Sequence, residues 1–250
     1  MSLQNEAIRQ DKERLDLEGS YYALLVGLFG KISGYAEKHL NVSFNSIDNL
    51  DIDQFKSDFK KILNNLYIKT QSSSYQEIVN FILEDEQNNT IKNRVNKINS
   101  LDNENNIINN LFYILATTKT DIKSYNDNYI NQEQEVSLGK YIANSIKDNA
   151  GNRSGLIAQQ NVGIAYESQK YNISNVAMLE LSNIYNKTWV TVGDNKVRHA
   201  HRLADRKKTN INNFFIVDDE KLLYPKDMSN GATIGNTINC RCITVYTKVN

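Results

Sequence analysis

The residues best equipped for chemistry in this 250-residue chain crowd into its last fifth. Cys240 and Cys242, the only cysteines, flank Arg241, and upstream His199 and His201 are two of just three histidines. Two imidazole nitrogens and two thiolate sulfurs make up the donor inventory of a tetrahedral zinc site. Residues two apart point the same way in an extended segment and diverge by about 200° on a helix. A metal clamp therefore expects the histidine segment to be extended. Three other readings stand beside it. The cysteines can be small buried hydrophobes, with the histidines bonded to backbone. One thiol can be a nucleophile with His201 as its base, oriented by Asp194 or Asp205, although nothing in the sequence marks an oxyanion hole or a substrate pocket. A Cys240–Cys242 disulfide closes too short a ring to be unstrained.

Lys196, Arg198, Arg202, Arg206, Lys207 and Lys208 form a basic cluster around the histidines. It is a candidate contact for nucleic-acid phosphates. Asp194 and Asp205 are mixed in and no aromatics interleave, which also describes a solvated, partly ion-paired face. The formal net charge is zero, so no whole-molecule field draws the chain toward nucleic acid or an anionic membrane. The N-terminal stretch lacks the basic start and apolar run of a signal peptide. The longest apolar run, residues 21–29, is about half of what a bilayer demands, so no membrane partner is expected. Two cysteines cannot build a disulfide scaffold, which fits a reducing cytoplasm.

The elements that must position these side chains fall in two regions, for an overall α+β class. Residues 1–130 read as helical. Tyr21, Leu24, Leu25, Leu28, Phe29, Ile32, Tyr35 and Ala36 recur at three- and four-residue steps, and the charged run before them continues the same helix. A second helix carries Phe55, Phe59, Ile62, Leu63 and Leu66, with Asp51 or Asp53 as its cap. Further stripes run over Tyr75, Ile78, Val79, Ile82 and Leu83, then Val95, Ile98 and Leu101, then Ile107, Ile108, Leu111, Phe112 and Leu115. Residues 41–46 and 69–75 are expected to be loops, and the acidic runs at 84–86 and 132–135 solvated helix ends. The region from 131 to 250 expects helices at about 134–150, 153–170 and 174–186. Short strands follow at 187–192, 213–218 and 242–249, with a tight turn at 192–196.

The order of residues in this second region resembles the C-terminal domain of the phage Mu F-like minor head, or head morphogenesis, proteins. That pattern falls on Trp189, Asp194, Arg198, His201, Leu203 and Asp205. It continues over Phe214 or Phe215, Tyr224, Pro225 and Asp227, and closes on Asn239, Cys240, Arg241 and Cys242. Residues 153–169 are similar to a helix that precedes it in the family. The likeness does not extend into the first 130 residues. Two family glycines are replaced, by Arg206 and Lys226, and an Arg-Thr-Glu step has become Gln159, Gln160 and Asn161.

The resemblance implies a low-copy structural component of a tailed-phage or prophage head. Its implied partners are the portal and the capsid or scaffold proteins, with a role in head assembly, DNA packaging or delivery. Its implied location is the host cytoplasm during assembly and the virion interior afterwards. Residues 1–130 are expected to dock on portal or capsid, and 131–250 to form the Mu F-like domain. Some members have a Cys–x–x–Cys where this chain has Arg198 to His201, an interchange expected of metal ligands. Zinc is accordingly the candidate cofactor, on His201, Cys240, Cys242 and His199. Catalytic residues are not expected, since kept positions look fold-determining while polar ones have drifted. The rival reading is a small zinc-dependent or transferase- or toxin-like enzyme delivered with the DNA. The eight residues after Cys242 are expected to leave no room for an appended toxin.

Overall fold

The structure is a computed structural model that describes residues 3–40, 47–82, 88–131, 135–181 and 184–249. The expected loop at 41–46, Leu83, the acidic run at 84–86 and residues 132–134 lie outside these. So do the side chains of Tyr75, Ile78, Val79, Ile82 and Leu101. Four long helices account for most of the chain: α1 (Leu3–Leu40), α2 (Lys56–Ile82), α3 (Asn88–Ile130) and α4 (Leu138–Leu181). Short 3-10 turns at Ile47–Asn49 and Asp53–Phe55 precede α2. The remainder is β1 (Tyr185–Val190), α5 (His199–Ala204), β2 (Lys208–Asn210), β3 (Phe215–Val217), β4 (Glu220–Leu222), α6 (Ile234–Thr237) and β5 (Ile243–Lys248). The class is α+β. No helix among the described residues is long and apolar enough to cross a membrane.

Two expectations about helix ends give way. The segment 69–75 continues α2, because its serines and Gln71 cost little in a helix flanked by good formers. The three helices expected between 134 and 186 are one helix of 44 residues, α4. Gly151, Gly155 and Gly163 lie within it, and isolated glycines lower helix stability without breaking it.

By contacts the chain divides into two compact units whose segments alternate along the sequence. The expected division between 130 and 131 falls at the end of α3, whereas the elements change type only after α4, at β1, and the compact units are assembled from segments on both sides of that division. One unit comprises residues 18–65 and 104–158, and its described elements are all helices. Leu25, Leu28, Phe29 and Ile32 of α1 are buried there, as the helical periodicity requires, whereas Leu24 is 50% exposed. Phe29 meets Phe59 edge-on at 5.9 Å, and the Ser33 hydroxyl donates to the Ala143 carbonyl at 2.8 Å.

The other unit comprises residues 1–17, 66–103 and 159–250 and carries every strand. Its three-stranded antiparallel sheet has the order β2-β1-β5, with Trp189 opposite Thr244 and Tyr185 opposite Lys248. A separate hairpin joins β3 to β4 through Asp218 and Asp219, both with positive φ, as a two-residue primed turn requires. Ile173, Val176 and Ala177 of α4 pack with Ile91 and Val95 of α3 against Tyr185, Ile211 and Tyr246. Ala7 packs with Val190, Ile243 and Val245.

A buried ion pair fastens β5 within this unit. Lys170 Nζ lies 2.7 Å from Glu167 Oε1, with both side chains at most 1% exposed. The Thr244 N–H donates to Glu167 Oε2 at 3.0 Å, while Lys170 donates to the Thr244 carbonyl and to Gln10 Oε1, each at 2.9 Å. Both polar groups of Thr244's backbone are thereby satisfied, as buried backbone demands. Burial raises the Glu167 carboxyl above its ordinary value, and the Lys170 ammonium and the Thr244 N–H offset part of that rise.

Candidate metal centre

Three side chains from two segments meet in the core of the strand-bearing unit. His201 projects from α5, which opens at Arg198 in extended backbone. Cys240 and Cys242 come from the loop between α6 and β5. Asn239, with φ +53, turns the chain immediately before them. His201 Nδ1 lies 3.4 Å from Cys242 Sγ and 3.5 Å from Cys240 Sγ. All three donor atoms fall within 4.8 Å of one another, and the residues are 1%, 2% and 4% exposed. Both cysteines are free thiols, as the short ring between them requires.

These distances are informative. A ring nitrogen carries one in-plane lone pair or one proton, yet Nδ1 stands almost equally near two sulfurs. A shared cation accounts for that directly. Bond lengths of about 2.3 Å to sulfur and 2.0–2.1 Å to nitrogen, at a tetrahedral angle, separate the two donors by about 3.6 Å. The three residues could therefore hold a metal ion with little rearrangement. His199 is not among them. The histidine segment is helical rather than extended, so the residue two positions away is carried round the axis and is exposed. Among the described residues no fourth His, Cys, Asp or Glu joins the group.

The sulfurs are also coupled electrostatically. Cys240 is pulled well below the ordinary thiol value by a hydrogen bond from Cys242 and, against the cost of burial, by His201. Cys242 is pushed well above it by that same bond and by burial. A cation bound there would displace thiol protons.

Aromatic rings close the centre on its inner side. Trp189 stands edge-on to His201 at 5.6 Å and to Phe215 at 5.3 Å. Trp189, Ala204, Phe215, Val217, Leu222, Ala232 and both cysteines form one apolar cluster. Tyr224 lies elsewhere, against Tyr171 at 5.6 Å.

The remaining motif residues hold backbone in place. Arg241 Nη2 donates to both oxygens of Asp194 at 2.7 Å and, through that hydrogen bond, keeps its carboxyl below the ordinary value. Asp194 also accepts the Lys196 N–H at 3.0 Å. Asp205 accepts the Thr191 N–H at 2.8 Å and its hydroxyl at 3.0 Å. Asp227 accepts the N–H groups of Leu223 at 2.7 Å and Ser229 at 2.9 Å, closing the turn that contains buried Pro225. His201 Nε2 is buried with no hydrogen-bond partner among the described residues, so neither aspartate orients it as a general base would require.

The basic cluster separates into two kinds of residue. Arg198 donates to the Ile238 carbonyl and Arg202 to that of Val197. Lys196, Arg206, Lys207 and Lys208 are exposed, with Arg206 Nε 3.7 Å from Asp205.

The sequence reading missed three buried lysines. Lys170 and Lys187 are fully buried, and Lys226 is 2% exposed. The spacing of Glu167 and Lys170, three apart on a helix face with buried Tyr166 and Ile173, was the available signal for the first. Lys226 Nζ donates to Gln160 Oε1 at 3.0 Å and to the Gln159 carbonyl at 3.3 Å. Its stem lies so close over Gly163 that a Cβ there would sit 2.4 Å from Lys226 Cε. Compared with known proteins, the chain matches no family model, no curated protein and no solved structure.

Proposed function

We propose that this protein is a minor head, or head morphogenesis, protein of a tailed phage or prophage, whose Mu F-like C-terminal region works by assembly and binding. One observation supports this most. Trp189, His201, Cys240 and Cys242, which the resemblance singles out across some fifty positions, meet in one buried constellation. Around it Asp194, Arg198, Asp205, Asp227 and Arg241 bond to backbone or to each other, in scaffolding roles. The two replaced glycines give further support: Arg206 and Lys226 have φ of +60 and +70, the conformation that glycine adopts without strain.

Zinc is the ion assigned to His201, Cys240 and Cys242, since thiolate and imidazole donors suit it. It would fasten α5 to the segment entering β5, a structural task. The helical region 1–130 would dock on the portal or the inner capsid. Lys196, Arg206, Lys207 and Lys208 would face packaged DNA, with Arg198 and Arg202 fixing the backbone that presents them.

Two measurements test this reading. The full-length chain, co-expressed with the portal protein of its own phage, is expected to co-purify with it, and a clean separation at low salt refutes the docking role. Purified protein is expected to carry about one zinc per chain, lost in the Cys240→Ser and Cys242→Ser variants. Metal-free protein of unchanged stability after zinc addition refutes the staple.

A further inference from the structure

Among the described residues the donor set supplies three ligands, whereas structural zinc sites close with four. His201, Cys240 and Cys242 all line one cavity of about 20 Å³, and its other walls are Val192, Lys196, Val197, Arg198, Asn239 and Arg241. A cavity needs roughly 10–15 Å³ to admit a water, so this one takes a single water-sized group. Lys196 and Asn239 are exposed, which carries the rim to solvent. Three cations line the cavity: Lys196, Arg198, which also donates to the Ile238 carbonyl, and Arg241, which is paired with Asp194.

We propose that a metal on His201, Cys240 and Cys242 keeps its fourth position for a small exogenous anion or water, entering past Lys196, Arg198 and Arg241. This rests on the metal reading above. The protein supplies a soft, buried three-ligand face on one side and a cationic mouth one ligand wide on the other. The mouth selects by charge, because Lys196 and Arg198 favour an anion over a neutral base. A linear anion bound end-on would place its first atom in the cavity and its tail among Lys196 and Asn239.

Cobalt(II) substitution of the full-length protein, followed by titration with azide, reads the position directly. Cobalt bound by the cysteines gives a thiolate charge-transfer band, and azide is expected to shift the visible d–d bands in a saturable way. Lys196→Gln, at an exposed position, is expected to weaken azide affinity about 3- to 10-fold through loss of one charge-assisted contact, leaving the charge-transfer band intact. Arg198→Gln serves as the second variant. His199→Ala is expected to leave the spectrum unchanged. X-ray absorption of the zinc form is expected to show two sulfurs, one imidazole and one light non-imidazole ligand. Cobalt that binds with its charge-transfer band but ignores azide, or a spectrum lost in His199→Ala, overturns the open position and leaves the metal reading standing. Failure of cobalt and zinc to bind at all overturns both.

Discussion

Lys187 offers a test in which replacing a charged residue stabilises the fold, and only in a defined pH range. It lies in the middle of β1, fully buried. Its ammonium donates to the Leu223 carbonyl at 2.7 Å and lies 5.4 Å from the Tyr171 ring and 5.1 Å from the Phe215 ring. One hydrogen bond and two ring faces are poor exchange for water, and burial pushes the group down to about 7, with Asp227 opposing the shift. In the unfolded chain a lysine titrates at about 10.4. Between these values the unfolded state binds the extra proton, so wild-type stability rises with pH across the window. At pH 7 the burial term costs about 4 kcal/mol, and at pH 9.5 about 1.4 kcal/mol. Lys187→Met removes that term and also the bond to Leu223, whose orphaned carbonyl costs about 1–3 kcal/mol. The variant is therefore expected to be about 1–3 kcal/mol more stable than wild type near pH 7 and level or weaker at pH 9.5. Urea unfolding of both proteins at pH 6, 7, 8 and 9.5 measures this. The difference between them isolates Lys187 from the cysteines and tyrosines, which titrate in both. A wild-type-minus-variant difference that stays constant with pH refutes the reasoning, whatever its sign.

Lys170→Met strands the Glu167 carboxylate in the core and is expected to cost about 3–5 kcal/mol in chemical denaturation, most of it recovered in Glu167→Gln/Lys170→Met. Because burial raises the Glu167 carboxyl, wild-type stability carries a component that falls as pH climbs from about 4.3 through the raised folded value, and Glu167→Gln should abolish it. Gly163→Ala displaces the far end of the Lys226 side chain from Gln159 and Gln160 and is expected to cost about 1 kcal/mol, turning to a gain in a Lys226→Gly background, where only the helix preference of alanine remains. Asn239→Ala, at φ +53, is expected to lose about 1 kcal/mol of thermal stability and Asn239→Gly far less.

The sequence carried the elements well where local periodicity governs them. The apolar steps of α1 bury as their spacing requires, Leu24 excepted, and strands form near the β-branched runs at β1 and β5, although both are buried nearly throughout rather than alternately. The helix boundaries were harder to read, because a few serines or an isolated glycine weaken a helix by less than packing restores, as in α2 and α4. The alternation of the compact units was invisible, since it depends on which helix segments meet and not on any local pattern. At the centre, the identity of His201, Cys240 and Cys242 was legible as a donor set. Their convergence depended on α5 being helical, which removed His199 and kept His201. The roles of Asp194 and Asp205 were not legible, because the loop after β1 carries Asp194 to Arg241, in the segment before β5, and Thr191 to Asp205, just after α5.

The departures from the phage pattern are structurally organised rather than scattered. Arg206 and Lys226 stand where glycine is expected, and both keep the left-handed backbone at some cost in strain. Lys226 then sends its side chain onto Gly163 and into Gln159 and Gln160, which are themselves the replaced polar step on α4. A cation at one altered position is thus satisfied by the residues at another. Gln160 accepts through its side chain and Gln159 through its backbone carbonyl, so this one buried ammonium fixes the turn that contains Pro225 against α4.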